Sequence, residues 1–279
     1  MPAPRVSPSS PVDLHRPTEV GAVSDGSGLP AEGRPARDAV HKRRPAGGSP
    51  RSAAFFDVDE TLITAKSMFA FLRHWLARNG DDGTRYRRRA DELRAMAARM
   101  PREEGNRVYY THFAGVPAAE LMAAGREWYA EYREGPDAFV TATVRALARH
   151  RAAGDRIVLV SGGFAACLGP LGEDFGVDLT LCSDPLIGED GAFTGEIGTA
   201  MIGKAKAVAV DRTIAAYGLP AADCWAYGDH SSDLDMLSSV GHPVAVGDDP
   251  VLCAHVRRHG GSVLPSTGGR RDEPGRTVP

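Results

Sequence analysis

Three acids, Asp57, Asp59 and Glu60, fall within four positions where the apolar run of "AAFFDVDETL" ends. Such a run reads as a buried strand, and alternate side chains of an extended backbone project to the same side, so Asp57 and Asp59 share one. Two carboxylates about 4 Å apart repel by about 4 kcal/mol at an effective dielectric near 20. A second acidic pair, Asp229 and Asp233, closes another apolar run in "DCWAYGDHSSDLDML". Brought together, these charges call for a cation. With carboxylates, backbone carbonyls and water as the donors, that cation is a hard one, and magnesium suits a site that also holds phosphate. Two further segments carry polar groups of the right kind: Ser161 and Gly162 follow "RIVLV", and Lys204 and Lys206 open a helical stretch.

The elements that would position these residues are legible as alternating patterns. Segments 53–58, 156–162, 178–183, 223–229 and 242–247 are short apolar runs bounded by turn residues, as in strands buried on both faces. Between them, Phe139, Val140, Val144 and Leu147 share one helical face, and "KAKAVAVDRTIAAYG" stops at Gly218. The alternation predicts an α/β fold with a Rossmann-like, doubly wound parallel sheet, in which ligands bind beyond the carboxyl ends of the strands. Residues 66–135 break the alternation and read as helices alone. Met68, Phe71, Leu72, Trp75 and Leu76 form a helical stripe, Pro101 and Pro117 mark helix starts, and Leu121 and Trp128 continue the pattern. The expected organisation is a disordered Pro/Gly/Arg-rich extension over 1–50, an α/β core over 51–65 and 136–265, an all-helical cap over 66–135, and a disordered tail over 266–279.

Composition narrows the function classes. A net charge of −3 over 279 residues gives no global attraction to nucleic acid or anionic lipid, so neither is expected as a partner. The four cysteines are far apart and form no C-x-x-C pair, which argues against a zinc site or a disulfide framework. No apolar stretch is long enough to span a membrane, and no secretory signal is evident, so the expected location is cytoplasmic. The oligomeric state is left open.

The ordered set D-x-D-x-T, strand-S-G, Lys and G-D-x-x-x-D resembles the haloacid dehalogenase superfamily of hydrolases. It is most similar to the phosphoserine phosphatase-like branch (subfamily IB), in which a helical cap of the C1 type is inserted after the first motif. The resemblance implies a magnesium-dependent phosphatase acting on a small soluble phosphate monoester. Asp57 would be the nucleophile that forms an aspartyl-phosphate, and Asp59 the acid and then the base. Asp57, Asp59 through its carbonyl, Asp229 and Asp233 would hold the metal. Thr61, Ser161 and Gly162 would bind phosphate. "IGKAKAVAV" offers two lysines; Lys206, which lies 23 residues before Asp229, matches the family spacing better than Lys204. His230 and Glu196 are read as non-catalytic, and "EDGAFTGEI" as a hairpin near the site. One departure bears on substrate: phosphoserine phosphatases carry a glutamate about nine positions after the nucleophile, and here that position is Lys66, a reader of an oxygen-rich leaving group rather than of an ammonium. A phosphotransferase using the same intermediate and an inactive phosphometabolite-binding protein are the rival readings.

Overall fold

A computed structural model describes residues 50–269; the expectations for 1–49 and 270–279 lie outside the described residues. Along the chain, β1 (Ala53–Phe56) is followed by four helices, α1 (Ser67–Arg78), α2 (Thr84–Ala97), α3 (Arg102–Thr111) and α4 (Ala118–Tyr132). Then come β2 (Phe139–Val140), α5 (Thr141–Ala153), β3 (Arg156–Ser161), α6 (Ala165–Phe175) and β4 (Leu179–Cys182). A hairpin, β5 (Pro185–Ile187) and β6 (Phe193–Ile197), leads into α7 (Lys204–Tyr217) and β7 (Trp225–Gly228). The described chain closes with α8 (Leu234–Ser238), β8 (His242–Val246), α9 (Pro250–Arg258), β9 (Ser262–Leu264) and β10 (Gly268–Gly269).

Six strands form one sheet in the order β4-β3-β1-β7-β8-β9, and every pairing in it is parallel. β1 sits at its centre, between the strand that leads toward β4 and the strand that leads toward β9. The connections therefore diverge beside β1, and in such sheets the crevice for ligand opens at that point. All four residues of β1 are fully buried, with Ala54 and Phe56 in one apolar cluster and Ala53 and Phe55 in the other. A strand apolar on both faces is what a sheet covered by helices on both sides requires.

The segment between β1 and β2 folds as α1 to α4, and its aromatic residues form an apolar cluster with the sheet. Phe71, Trp75, Tyr109, Phe113 and Trp128 are buried together. Phe164, immediately after the Ser161-Gly162-Gly163 turn, meets Phe71 edge-on at 5.5 Å and Tyr110 at 5.4 Å, so the same turn that carries polar groups also seats the helices. Between α4 and α6 the backbones nearly touch: a Cβ on Gly125 would fall 1.8 Å from the carbonyl oxygen of Ala166. Only glycine permits that approach.

Two boundaries differ from the sequence reading. Phe139 and Val140 belong to β2, not to the following helix, because Ile63 bridges to Phe139 and the Val140 N–H donates to the carbonyl of Leu62. The ordered chain continues past residue 265: Gly268 and Gly269 pair antiparallel with Val140 and Phe139. Glycine-rich sequence hides this pairing, since the bonds are made by backbone alone. The "EDGAFTGEI" hairpin is present as β5–β6, but it lies under the helical segment, where Phe193 exchanges backbone bonds with Gly115 and Val116, and Glu196 is exposed. The four cysteines are all free, and among the described residues no helix is long and apolar enough to cross a membrane.

Candidate active site

The carboxyl end of β1 runs straight into Asp57, whose N–H donates to the carbonyl of Tyr227 in β7 at 2.9 Å. The chain then turns sharply, and Thr61, Leu62 and Ile63 all donate to the carbonyl of Val58. Glu60 occupies a left-handed conformation at φ 58°, the one non-glycine residue to do so among the described residues. Strained backbone of this kind persists where the surroundings hold it in place. The turn aims Asp57 and Asp59 into a cleft of about 110 Å³ that is also lined by Ser161, Gly162, Lys206 and Asp229.

Lys206, in the first turn of α7, bridges two acids: its Nζ lies 2.7 Å from Asp57 Oδ1 and 2.6 Å from Asp233 Oδ1. Of the two candidate lysines it is the one brought to the site, being 4% exposed, while Lys204 faces solvent. Burial alone would pull the Lys206 ammonium down, but the charges of Asp233 and Asp57 and their hydrogen bonds more than offset it and hold it above its ordinary value. One lysine does not balance the acids. Burial pushes Asp57 well above the usual carboxylate range, Lys206 opposes that, and Asp233 and Asp229 add to it. Asp229 is pushed up to about 6, first by burial and then by Asp233.

Oxygen atoms of Asp57, Asp229 and Asp233 all lie within 4.8 Å of one another. Three clustered carboxylates, two of them, Asp57 and Asp229, with ionisation resisted first by burial, fit a hard cation and suit no soft one. The spacing G-D-x-x-x-D has a packing cause as well. A Cβ on Gly228 would sit 2.6 Å from Asp233 Cβ, so the residue before Asp229 must be glycine for Asp233 to fold back into the cluster. His230, at the rim, caps the turn that follows by accepting the Ser232 N–H, and burial followed by the nearby Arg102 keeps its pKa low.

Asp59 is set differently. Its Oδ1 accepts the backbone N–H of Ser67 at the start of α1, at 3.0 Å, and it makes no bond to Lys206. Burial, then the charge of Asp57, raises its pKa to about 6, against hydrogen bonding from Ser67. A carboxyl poised near neutrality suits a proton donor that later becomes an acceptor.

The reading of Thr61 needs correction. The side chain is fully buried and its Oγ1 donates to Asp229 Oδ1 at 2.9 Å, so its single proton is spent on orienting an acid and it does not line the cleft. Ser161 is 1% exposed, lines the cleft and accepts the Gly163 N–H on Oγ at 3.1 Å, which leaves its own O–H to donate. Lys66 lies at the cleft mouth, half-exposed, with Nζ 3.2 Å from Glu60 Oε2. Lys66 and Phe69 also line a wider groove of about 830 Å³ running along α1 and α4. Among the cleft residues that sequence reasoning missed are Arg102 and Asn106 at the start of α3. Both sit in a stretch read only as helix, and nothing in their spacing relative to the acids marks them.

Sheet, inserted helices and a buried carboxylate–lysine cluster define a hydrolase of the phosphatase type. The chain belongs to the haloacid dehalogenase-like hydrolase family, whose sequence model matches residues 54–238. A Streptomyces azureus protein called inhibition of morphological differentiation protein is 30% identical over 233 residues, 77% of this chain and 78% of its own. A phosphoserine phosphatase of Mycobacterium tuberculosis is 29% identical over 228 residues, 75% of this chain and 69% of its own. Among solved structures, a Bordetella pertussis Tohama I protein of unknown function aligns with a TM-score of 0.68 at 28% identity, covering 78% of this chain and 99% of its own.

Proposed function

We propose that the chain is a magnesium-dependent, cytoplasmic phosphatase that hydrolyses a small phosphate monoester through an aspartyl-phosphate on Asp57. The observation that carries this reading is the pairing of one acid locked to Lys206 with a second, Asp59, free of the lysine and held near pH 6. An Asp57 oxygen forms the bond to phosphorus as the bond to the leaving oxygen breaks, and Asp59 gives that oxygen its proton. Water then gives its proton to Asp59 and attacks phosphorus, which releases Asp57 and phosphate. Lys206 favours the ionised form of Asp57 and orients it, while Ser161 and Gly162 cradle the phosphate oxygens. Asp57, Asp229 and Asp233, with the backbone carbonyl of Asp59, would hold magnesium, which supplies charge neutralisation to the phosphoryl group when bound.

Lys66 is the residue we assign to substrate choice. Its exposed pairing with Glu60 is worth at most about 1 kcal/mol, so it is free to turn to a substrate oxygen. A leaving group bearing hydroxyls or an acid, such as a sugar, cyclitol or hydroxy-acid phosphate, fits this cation better than the ammonium of phosphoserine. The test is phosphate release from a panel of phosphorylated metabolites, with and without magnesium. Magnesium-dependent turnover that Asp57→Asn removes is expected. A panel without turnover, from protein that is folded and metal-loaded, would overturn the reading, and phosphoserine at the top of the panel would overturn the role of Lys66.

A further inference from the structure

The carbonyl oxygen of Gly162, in the turn that lines the cleft, is a meeting point for donors from outside that turn. Asn106 Nδ2 lies 2.8 Å from it, the Tyr110 hydroxyl 3.1 Å and Ser183 Oγ 2.9 Å. Asn106 and Tyr110 come from α3, one turn apart on the same face; both are buried, 4% and 1% exposed. Ser183 follows β4 and ties two more strands of the site together: its N–H donates to the Gly163 carbonyl at 2.9 Å, and its Oγ accepts the Met201 N–H at 3.0 Å, just before the helix that carries Lys206.

Counting protons fixes how this cluster is wired. A carbonyl oxygen has two lone pairs. Tyr110 has one proton; Asn106 and Ser183 also lie beside its hydroxyl, and the Gly162 carbonyl stands 3.1 Å from it in donor geometry, while burial holds the phenol well above the ordinary range, so it keeps the proton it donates to Gly162. Asn106 Nδ2 takes the second lone pair. The Ser183 proton then goes to Asn106 Oδ1, 3.1 Å away, which in turn fixes the orientation of the Asn106 amide. The peptide between Gly162 and Gly163 is planar, so holding its carbonyl toward α3 aims the Gly163 N–H the opposite way. There it meets Ser161 Oγ. That bond occupies one lone pair of Ser161 Oγ and leaves its hydroxyl proton to donate into the cleft that the side chain lines.

We infer that Asn106 and Tyr110 are positioning residues for the phosphate-binding turn: the inserted helices set the Gly162–Gly163 peptide, and through it the direction in which Ser161 donates. This rests on the phosphatase reading for its chemistry, but its geometry is tested separately by phosphate binding. The group they serve contacts the phosphate and not the leaving group. Their loss therefore acts equally on every substrate, unlike a change at Lys66.

The test uses the full chain with magnesium. Calorimetry measures inorganic phosphate affinity, and steady-state kinetics use p-nitrophenyl phosphate and the best substrate of the panel. Tyr110→Phe removes one donor with the ring retained, and weaker phosphate binding by about threefold to tenfold is expected, the scale of one neutral hydrogen bond. kcat/KM should fall by the same factor for both substrates. Asn106→Asp is near-isosteric but turns a donor into an acceptor facing a carbonyl, and it should bind phosphate more weakly than Asn106→Ala does. Should Asn106→Asp fail to fold, Tyr110→Phe decides. Unchanged phosphate affinity in Tyr110→Phe, whatever happens to its melting temperature, overturns the inference, as does Asn106→Asp binding phosphate as well as the parent. If neither p-nitrophenyl phosphate nor any phosphate of the panel is turned over, the phosphatase reading fails, and calorimetry still decides the wiring.

Discussion

The floor and the mouth of the cleft are built by opposite rules. On the floor, Asp57, Asp233 and Lys206 are each under 10% exposed and hydrogen-bonded to one another across three separate segments of chain. At the mouth, Lys66 and Arg102 stand in solvent, one in an exposed ion pair with Glu60 and the other with no hydrogen bond or ion pair among the described residues. Removing one partner of a buried charged pair strands the rest, whereas an exposed pair contributes little. On the proposed reading, the reaction rests on groups that are costly to alter singly, and the choice of substrate on groups that are not.

This contrast orders the expected effects of substitution. The largest is Asp57→Asn, which should reduce turnover to background and abolish aspartyl-phosphate formation, read by acid-quenched labelling; residual labelling at another residue would break the assignment of the floor. Chelation should be equally complete, with activity restored by magnesium and not by zinc, because the donors are all oxygen. Next, Asp59→Asn should cost about a hundredfold with an alkyl phosphate, the usual scale of general acid–base help. The loss should shrink with p-nitrophenyl phosphate, whose leaving group needs no proton. Gly228→Ala should lower kcat/KM by roughly tenfold to a hundredfold, because the new Cβ displaces Asp233. An active, fully stable Gly228→Ala would show that the floor is less interlocked than its distances imply. The smallest effect belongs to the mouth: Lys66→Glu should change kcat/KM by no more than about fivefold, and for an oxygen-rich substrate but not for p-nitrophenyl phosphate.

The same division separates what could be read in advance from what could not. The acids, Ser161 and the lysine lie at the ends of apolar runs, and a chain advertises such positions because strand ends and helix starts are local patterns. Even there, pattern alone left Lys204 and Lys206 open; burial separates them. Thr61 was misassigned because nothing local says that its hydroxyl faces Asp229, 168 residues away in sequence. Asn106 and Tyr110 were invisible for the same reason: their partners in the site are backbone carbonyls and side chains of other segments, and a polar residue on a helix looks the same whether it meets solvent or a distant peptide. β10 escaped notice since its pairing requires no side chain at all.

The near-contact between Gly125 and the carbonyl of Ala166 bears on how anything gets in or out. So close an approach leaves no room for a side chain between α4 and α6 and packs that side of the helical insert backbone to backbone. α1 and α3 meet the site through bonds instead: the Ser67 N–H donates to Asp59 and the Asn106 amide to the Gly162 carbonyl. Any movement of α1 or α3 that widened the cleft would therefore break the bonds that hold Asp59 and the Gly162 carbonyl, and an open doorway would also be a disassembled one.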